Sequence, residues 1–137
     1  MKAYLNFLES YPVKRFTKGE ALLEQGEVPT CTYVVRDGFV KTFDISASGE
    51  SLPLSFDHRY EIIPMAWTFS HSATAPYFYE AFTDCEVWCV PREDFIAFLK
   101  SNAHSQFMIF DFFVERYLTT MQMKMLSHEQ ARATDKI

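Results

Sequence analysis

The sequence predicts a mainly β fold with helices added: a jelly roll, or double-stranded β-helix, followed by one long C-terminal helix. Three observations carry this. All four glycines, Gly19, Gly26, Gly38 and Gly49, fall between residues 16 and 56, where they punctuate short runs of β-branched and aromatic residues. Such punctuation describes a meander of strands. Strand-like runs resume at residues 77–83 and 86–90, joined by Thr83-Asp84-Cys85, which brings the count to roughly eight, the number of a jelly roll. From Pro91 onward the apolar spacing becomes helical, and from about His104 to the last residue neither Gly nor Pro intervenes.

Taken in order, residues 1–11 carry Tyr4, Leu5, Phe7 and Leu8 before Pro12, a short helix expected to cover a sheet edge. Asp37-Gly38 is the clearest turn. Both central residues of a two-residue type I′ turn need positive φ, which Asp tolerates and Gly adopts freely, so residues 32–36 and 39–45 are expected to pair as an antiparallel hairpin. Ser46-Ala47-Ser48-Gly49 makes a second hairpin with residues 51–56, and Lys18-Gly19 and Gln25-Gly26-Glu27 break the chain earlier. Residues 60–63 supply one more strand, ended by Pro64, which has no N–H to donate. Residues 64–69 suit one helical turn with Pro first, and residues 70–76 form a small polar loop around His71. Helix over 91–100 follows from Pro91 at its start, Glu93 and Asp94 beside the positive helix end, and Phe95, Phe98 and Leu99 at i, i+3, i+4. Ser101-Asn102 ends it. Two units result: a β roll over 1–103 and a helix over 104–137, on the order of 45 Å long.

Composition excludes several functions. At 137 residues the chain has room for one domain with a continuous core. Aromatic residues make up 17%, so ring packing supplies much of that core. A net charge of -5 gives no general attraction to phosphate backbones or anionic lipid. Cys31, Cys85 and Cys89 are an odd number without a Cys-x-x-Cys pair, which suits reduced thiols better than a disulfide framework. Cys85 and Cys89 share a strand face, yet no nearby His or third Cys completes a metal site. No signal-peptide pattern opens the chain and no apolar run reaches the ~20 residues of a membrane span. A soluble cytoplasmic protein without a membrane partner is expected.

The long helix is apolar almost all round in its first half, through Phe107, Met108, Ile109, Phe110, Phe112, Phe113 and Val114. It then narrows to a stripe of Leu118, Met121 and Met125. The stripe has the three-to-four spacing of a two-stranded seam. Because the helix ends with the chain, a homodimer is expected through Phe110, Val114, Leu118, Met121 and Met125; the alternative is that the stripe folds back onto its own subunit.

These features together resemble the Crp-Fnr superfamily of transcription regulators over nearly the whole chain. The resemblance rests on Phe16-x-x-Gly19-Glu20, Gln25-Gly26-Glu27, Tyr33-Val34-Val35 leading to Gly38-x-Val40, Gly49-Glu50, and Asp84-Cys85-Glu86-Val87 followed by Pro91-Arg92-Glu93-Asp94-Phe95. It implies a cyclic-nucleotide-binding-like β roll that senses an effector, a long helix that dimerises, and a winged helix-turn-helix that binds DNA. The chain is expected to stop before that last domain, with residues 131–137 as the end of the dimer helix; a naturally short protein gives the same sequence. Cyclic-nucleotide-binding members place a Gly-Glu pair on the ribose and an Arg with a small residue on the phosphate. The corresponding positions here are Pro64-Met65 and Ala75-Pro76, without carboxylate or guanidinium, so ordinary cyclic-nucleotide affinity is not expected. Pro64, Met65, Trp67, Tyr77 and Tyr79 are the candidate ligand pocket, open equally to an unidentified small-molecule effector and to a filled core. No cofactor and no catalytic residue is implied. The other readings are a ligand-free dimerisation module and a cupin-type metalloenzyme. The second lacks His-x-His and has only His58 with Glu61, while His58, His71, His104 and His128 are too scattered for haem.

Overall fold

The computed structural model describes residues 2–70 and 73–135, with side chains described as far as Thr119 and at Met121, Gln122, Met125 and Leu126. In chain order the elements are α1 (Lys2–Leu8), β1 (Val13–Phe16), β2 (Ala21–Leu23), β3 (Thr32–Asp37), β4 (Val40–Ile45), β5 (Ser51–Asp57), β6 (Ile62–Ile63), α2 (Met65–Phe69), β7 (Phe78–Ala81), β8 (Cys85–Val90), α3 (Arg92–Ser101) and α4 (Ala103–Asp135). The strands form two four-stranded antiparallel sheets, ordered β1-β8-β3-β6 and β2-β7-β4-β5. This is the jelly roll expected from the sequence.

Strand alternation divides the apolar residues between two cores. Tyr33, Val35, Ile63, Cys85 and Val87 point between the sheets, where they meet Leu22, Leu23, Val40 and Tyr79. Their neighbours Val34, Ile62, Trp88 and Val90 point outward and pack with Tyr4 and Leu8 of α1, Phe95 and Leu99 of α3, and Ile109 of α4. The period of two along β3 and β8 thus makes both faces of one sheet apolar. Stacked rings join α1 to α3, with Phe7 and Phe98 centroids 4.2 Å apart. Full burial of such a ring stabilises a fold by about 1.5–3 kcal/mol, and these half-buried rings contribute part of that.

Two expectations are corrected. The first concerns α1, which covers the outer face of the β1-β8-β3-β6 sheet rather than an edge, because Tyr4 and Leu8 have no exposed surface and reach Trp88 and Phe95 across that face. The second concerns Asp37-Gly38, which does not close a hairpin. β3 pairs with β8 and β6, whereas β4 pairs with β5 and β7, so the turn carries the chain from one sheet to the other. Gly38 takes φ +84°, but among the described non-glycine residues only Tyr60 has positive φ. Asp37 therefore lacks the conformation a type I′ turn requires. The second hairpin does form, with Ile45 opposite Ser51 across Ser46 to Glu50.

Pro91 precedes α3, and Asn102 separates α3 from α4, its Oδ1 accepting the Ser105 N–H at 2.8 Å. That contact satisfies a free donor in the first turn of α4. Early in α4, Ser105 and Ile109 are buried against the roll. Phe110, Val114, Leu118, Met121 and Met125 are exposed in the single chain, at 62, 39, 55, 43 and 59%. Each expected seam residue thus has surface left to cover.

Candidate functional site

A cavity of about 290 Å³ lies where α4 crosses the β2-β7-β4-β5 sheet. Thr42 of β4 and Tyr79 of β7 form its floor, and Met65 and Ala66 of α2 form one wall, continued by Ser70, Pro76 and Tyr77. Phe113, Arg116 and Tyr117 of α4 close it. The α2 wall is fixed from behind: Thr32 and Thr68 hydroxyls share a buried hydrogen bond at 2.9 Å, and Arg92 Nε donates to the Thr68 carbonyl at 3.1 Å.

Arg116 is the cationic side chain lining this cavity, and it is already engaged. Its Nη2 lies 2.7 Å from Asp57 Oδ1 and 3.0 Å from Glu61 Oε1. These are ion pairs by distance, without an aligned hydrogen bond from Nη2. Asp57 is fully buried, accepting hydrogen bonds from Thr42 Oγ1 at 2.7 Å and Ser55 Oγ at 3.0 Å. Glu61 also accepts the His58 backbone N–H at 2.6 Å. One guanidinium thus bolts the long helix to the end of β5 and to the turn before β6. Burial pushes the Asp57 carboxyl above its ordinary pKa; Arg116 pulls it down and Glu61 pushes it up, and the net direction is upward. Burial disfavours the charge on Arg116, but the two carboxylates outweigh it and hold its pKa above the usual value. Burial, then the Asp57 charge, raises the Tyr79 phenol, which stays neutral.

Of the residues singled out from sequence, Met65, Tyr77 and Tyr79 line the cavity. Pro64 precedes α2 across a cis Ile63–Pro64 peptide bond, and Trp67 lies under the Arg92 guanidinium at 5.5 Å; neither lines the cavity. Ala75 is buried, bonded through its backbone to Gly26 and Glu27, and Pro76 reaches the cavity wall. Among the described residues no three His, Cys, Asp or Glu side chains cluster as metal ligands. Glu61 is engaged by Arg116 and the His58 backbone, and the His58 ring contacts the Arg59 carbonyl at 3.2 Å. His71 and the His128 side chain lie outside the described residues. Sequence reasoning missed Asp57, Arg116 and Thr42. The available signal was a charged residue inside the apolar first half of α4.

The family model described as Cyclic nucleotide-binding domain matches residues 13–102. No curated protein matches the chain. Among solved structures, the c-di-GMP responsive global regulator CLP of Xanthomonas campestris superposes with a TM-score of 0.78 at 19% identity, over 88% of this chain and 61% of that one. The catabolite activator protein of Thermus thermophilus gives 0.63 at 14% identity, over 98% and 59%. The sensor domain of the transcriptional regulator DNR from Pseudomonas aeruginosa gives 0.62 at 17% identity, over 99% and 82%. At these identities the likeness is one of fold. The chain spans about three fifths of the first two structures. Among the described residues, no helix is long and apolar enough to cross a membrane.

Proposed function

The chain belongs to the cyclic nucleotide-binding domain family, and from that premise we propose that it is the effector-sensing and dimerisation part of a Crp-Fnr-type transcription regulator whose effector is not a cyclic nucleotide. The observation that carries this reading is the cavity closed by α4: a molecule held against Met65, Tyr77 and Tyr79 also touches Phe113, Arg116 and Tyr117 on the helix. An effector there has differential contact with any two packings of α4, which a population shift requires. The exposed Phe110, Val114, Leu118, Met121 and Met125 support pairing of that helix with a second copy. DNA binding then belongs to a helix-turn-helix domain outside this chain.

Charge argues against a phosphodiester. Arg116 faces Asp57 and Glu61, so with both carboxylates ionised the cluster carries a net negative charge. An incoming anion must displace a carboxylate that is itself buried, a penalty of several kcal/mol. Aromatic rings and Met65 dominate the remaining lining, which favours an uncharged, largely apolar effector. Calorimetry with cyclic AMP and cyclic GMP tests this. We expect no saturable heat at micromolar concentration; a micromolar constant for either overturns the exclusion. The bolt from Arg116 to Asp57 and Glu61 also favours a second reading, a dimerisation module that senses nothing, since it holds α4 without any ligand.

A further inference from the structure

Cys31 and Cys89, far apart in sequence, are neighbours on one side of the inter-sheet core, close enough that each thiol perturbs the other's proton affinity. Both are half-buried at the margin of the inter-sheet core. Tyr33 pairs with Cys89 in the β3–β8 ladder, so Cys31, two residues earlier, reaches the same inner face diagonally. It sits at a bend just before β3, where the backbone is free of ladder pairing. Lys14, on β1 beside β8 opposite Val87, supplies the nearby positive charge.

We propose that Cys31 and Cys89 are a redox-active dithiol, a modification site that hydrogen peroxide closes to an intrachain disulfide. The Cys89 thiolate sulfur attacks one peroxide oxygen. The O–O bond breaks, hydroxide leaves and takes a proton as water, and Cys89 becomes a sulfenic acid. The Cys31 sulfur then attacks the Cys89 sulfur, the S–O bond breaks, and a second water leaves with the Cys31 proton. Two thiols are oxidised and one peroxide is reduced to two waters. The order follows from the pair's electrostatics: the neighbouring Cys31 thiol, with Lys14 assisting against burial, lowers the Cys89 pKa below its ordinary value, while that of Cys31 is raised. Cys85, on the same strand face, is the internal control. Burial, then the charges of Asp84, Glu20 and Asp37, raises its pKa to about 11.

The bond would form beside the cavity wall. Thr32, next to Cys31, holds Thr68 of α2, and Arg92, three residues after Cys89, holds the Thr68 carbonyl.

The test treats the reduced, folded chain with a small excess of hydrogen peroxide, removes the peroxide, unfolds the chain in urea, blocks remaining thiols with N-ethylmaleimide and maps peptides by mass. The expected result is loss of two alkylatable thiols, one linked peptide joining Cys31 to Cys89, and fully alkylated Cys85. In Cys31→Ser, Cys89 should accumulate as a sulfenic acid trapped by dimedone; in Cys89→Ser, Cys31 should remain alkylatable. Three intact thiols after peroxide, a bridge through Cys85, or a link only between chains would overturn the proposal. The wild-type peptide map separates these outcomes even if a variant folds poorly.

Discussion

Asp57 has no exposed surface, so every partner removed from it leaves charge in a place water cannot reach. Arg116→Met keeps most of the side-chain volume and deletes the ion pairs at 2.7 and 3.0 Å. Breaking a buried pair on one side costs about 3–5 kcal/mol. Folding already raises the Asp57 pKa above 3.8, burial outweighing Arg116. Such a carboxyl binds its proton more tightly folded than unfolded, so stability is gained as pH falls through the folded pKa and lost as it rises. Without the guanidinium the folded pKa goes higher still. Urea unfolding of Arg116→Met should therefore show a lower midpoint than wild type at pH 8 and a partial recovery toward pH 5. A midpoint that does not move with pH would show that Asp57 is not the group left behind. Only the Arg116 end of this network left a mark in the sequence, as a charge within the apolar first half of α4, and nothing there pointed to its partners. Asp57 sits between Phe56 and His58 with no motif around it, and Arg116 stands more than fifty residues away, so only the crossing of α4 over β5 brings them together.

At the scale of elements, the strands and helices were legible because burial leaves a period in the sequence, and the pairing of β3 was not. Thr32 to Val35 are buried without interruption, as befits a strand covered on both faces, and such a strand takes partners from distant parts of the chain. The Asp37-Gly38 signal marked a true turn but could not say which sheet the chain entered next. Gly38 serves a second purpose there: a Cβ on it would meet the Asp84 carbonyl oxygen at 2.4 Å and Cys85 Cβ at 2.8 Å. At Gly49, with φ +88°, nothing lies within 4 Å. Alanine at Gly49 should cost about 1–2 kcal/mol from backbone conformation alone, and alanine at Gly38 distinctly more, because backbone must also shift. Chemical denaturation of the two variants compares them directly, and equal losses would contradict the sheet-to-sheet corner. The pocket candidates were half legible for the same reason: Met65, Tyr77 and Tyr79 lie on segments the sequence marked as irregular or strand, but the sequence did not say which residues of α4 make the third wall.

For the whole molecule, the decisive relation is between the cavity and the exposed face of α4, since Phe113, Arg116 and Tyr117 belong to the same helix as Leu118, Met121 and Met125. Met121→Glu would bring two like charges to a two-fold seam, and sedimentation should show the variant as a monomer at concentrations where the wild type is a dimer. In a longer protein carrying the helix-turn-helix, the same substitution should abolish binding to two-fold related half-sites about 34 Å apart, because only paired helices hold two recognition helices at that spacing. An unchanged dimer, or undiminished specific binding by a monomer, contradicts the seam. The most direct test of the sensor role is native mass spectrometry of the chain taken from its own cells. The expected result is a homodimer that carries, or takes up from cell extract, one small molecule per subunit, and that molecule is not a cyclic nucleotide. A monomer, a cyclic-nucleotide mass, or a dimer that binds nothing from extract would contradict it.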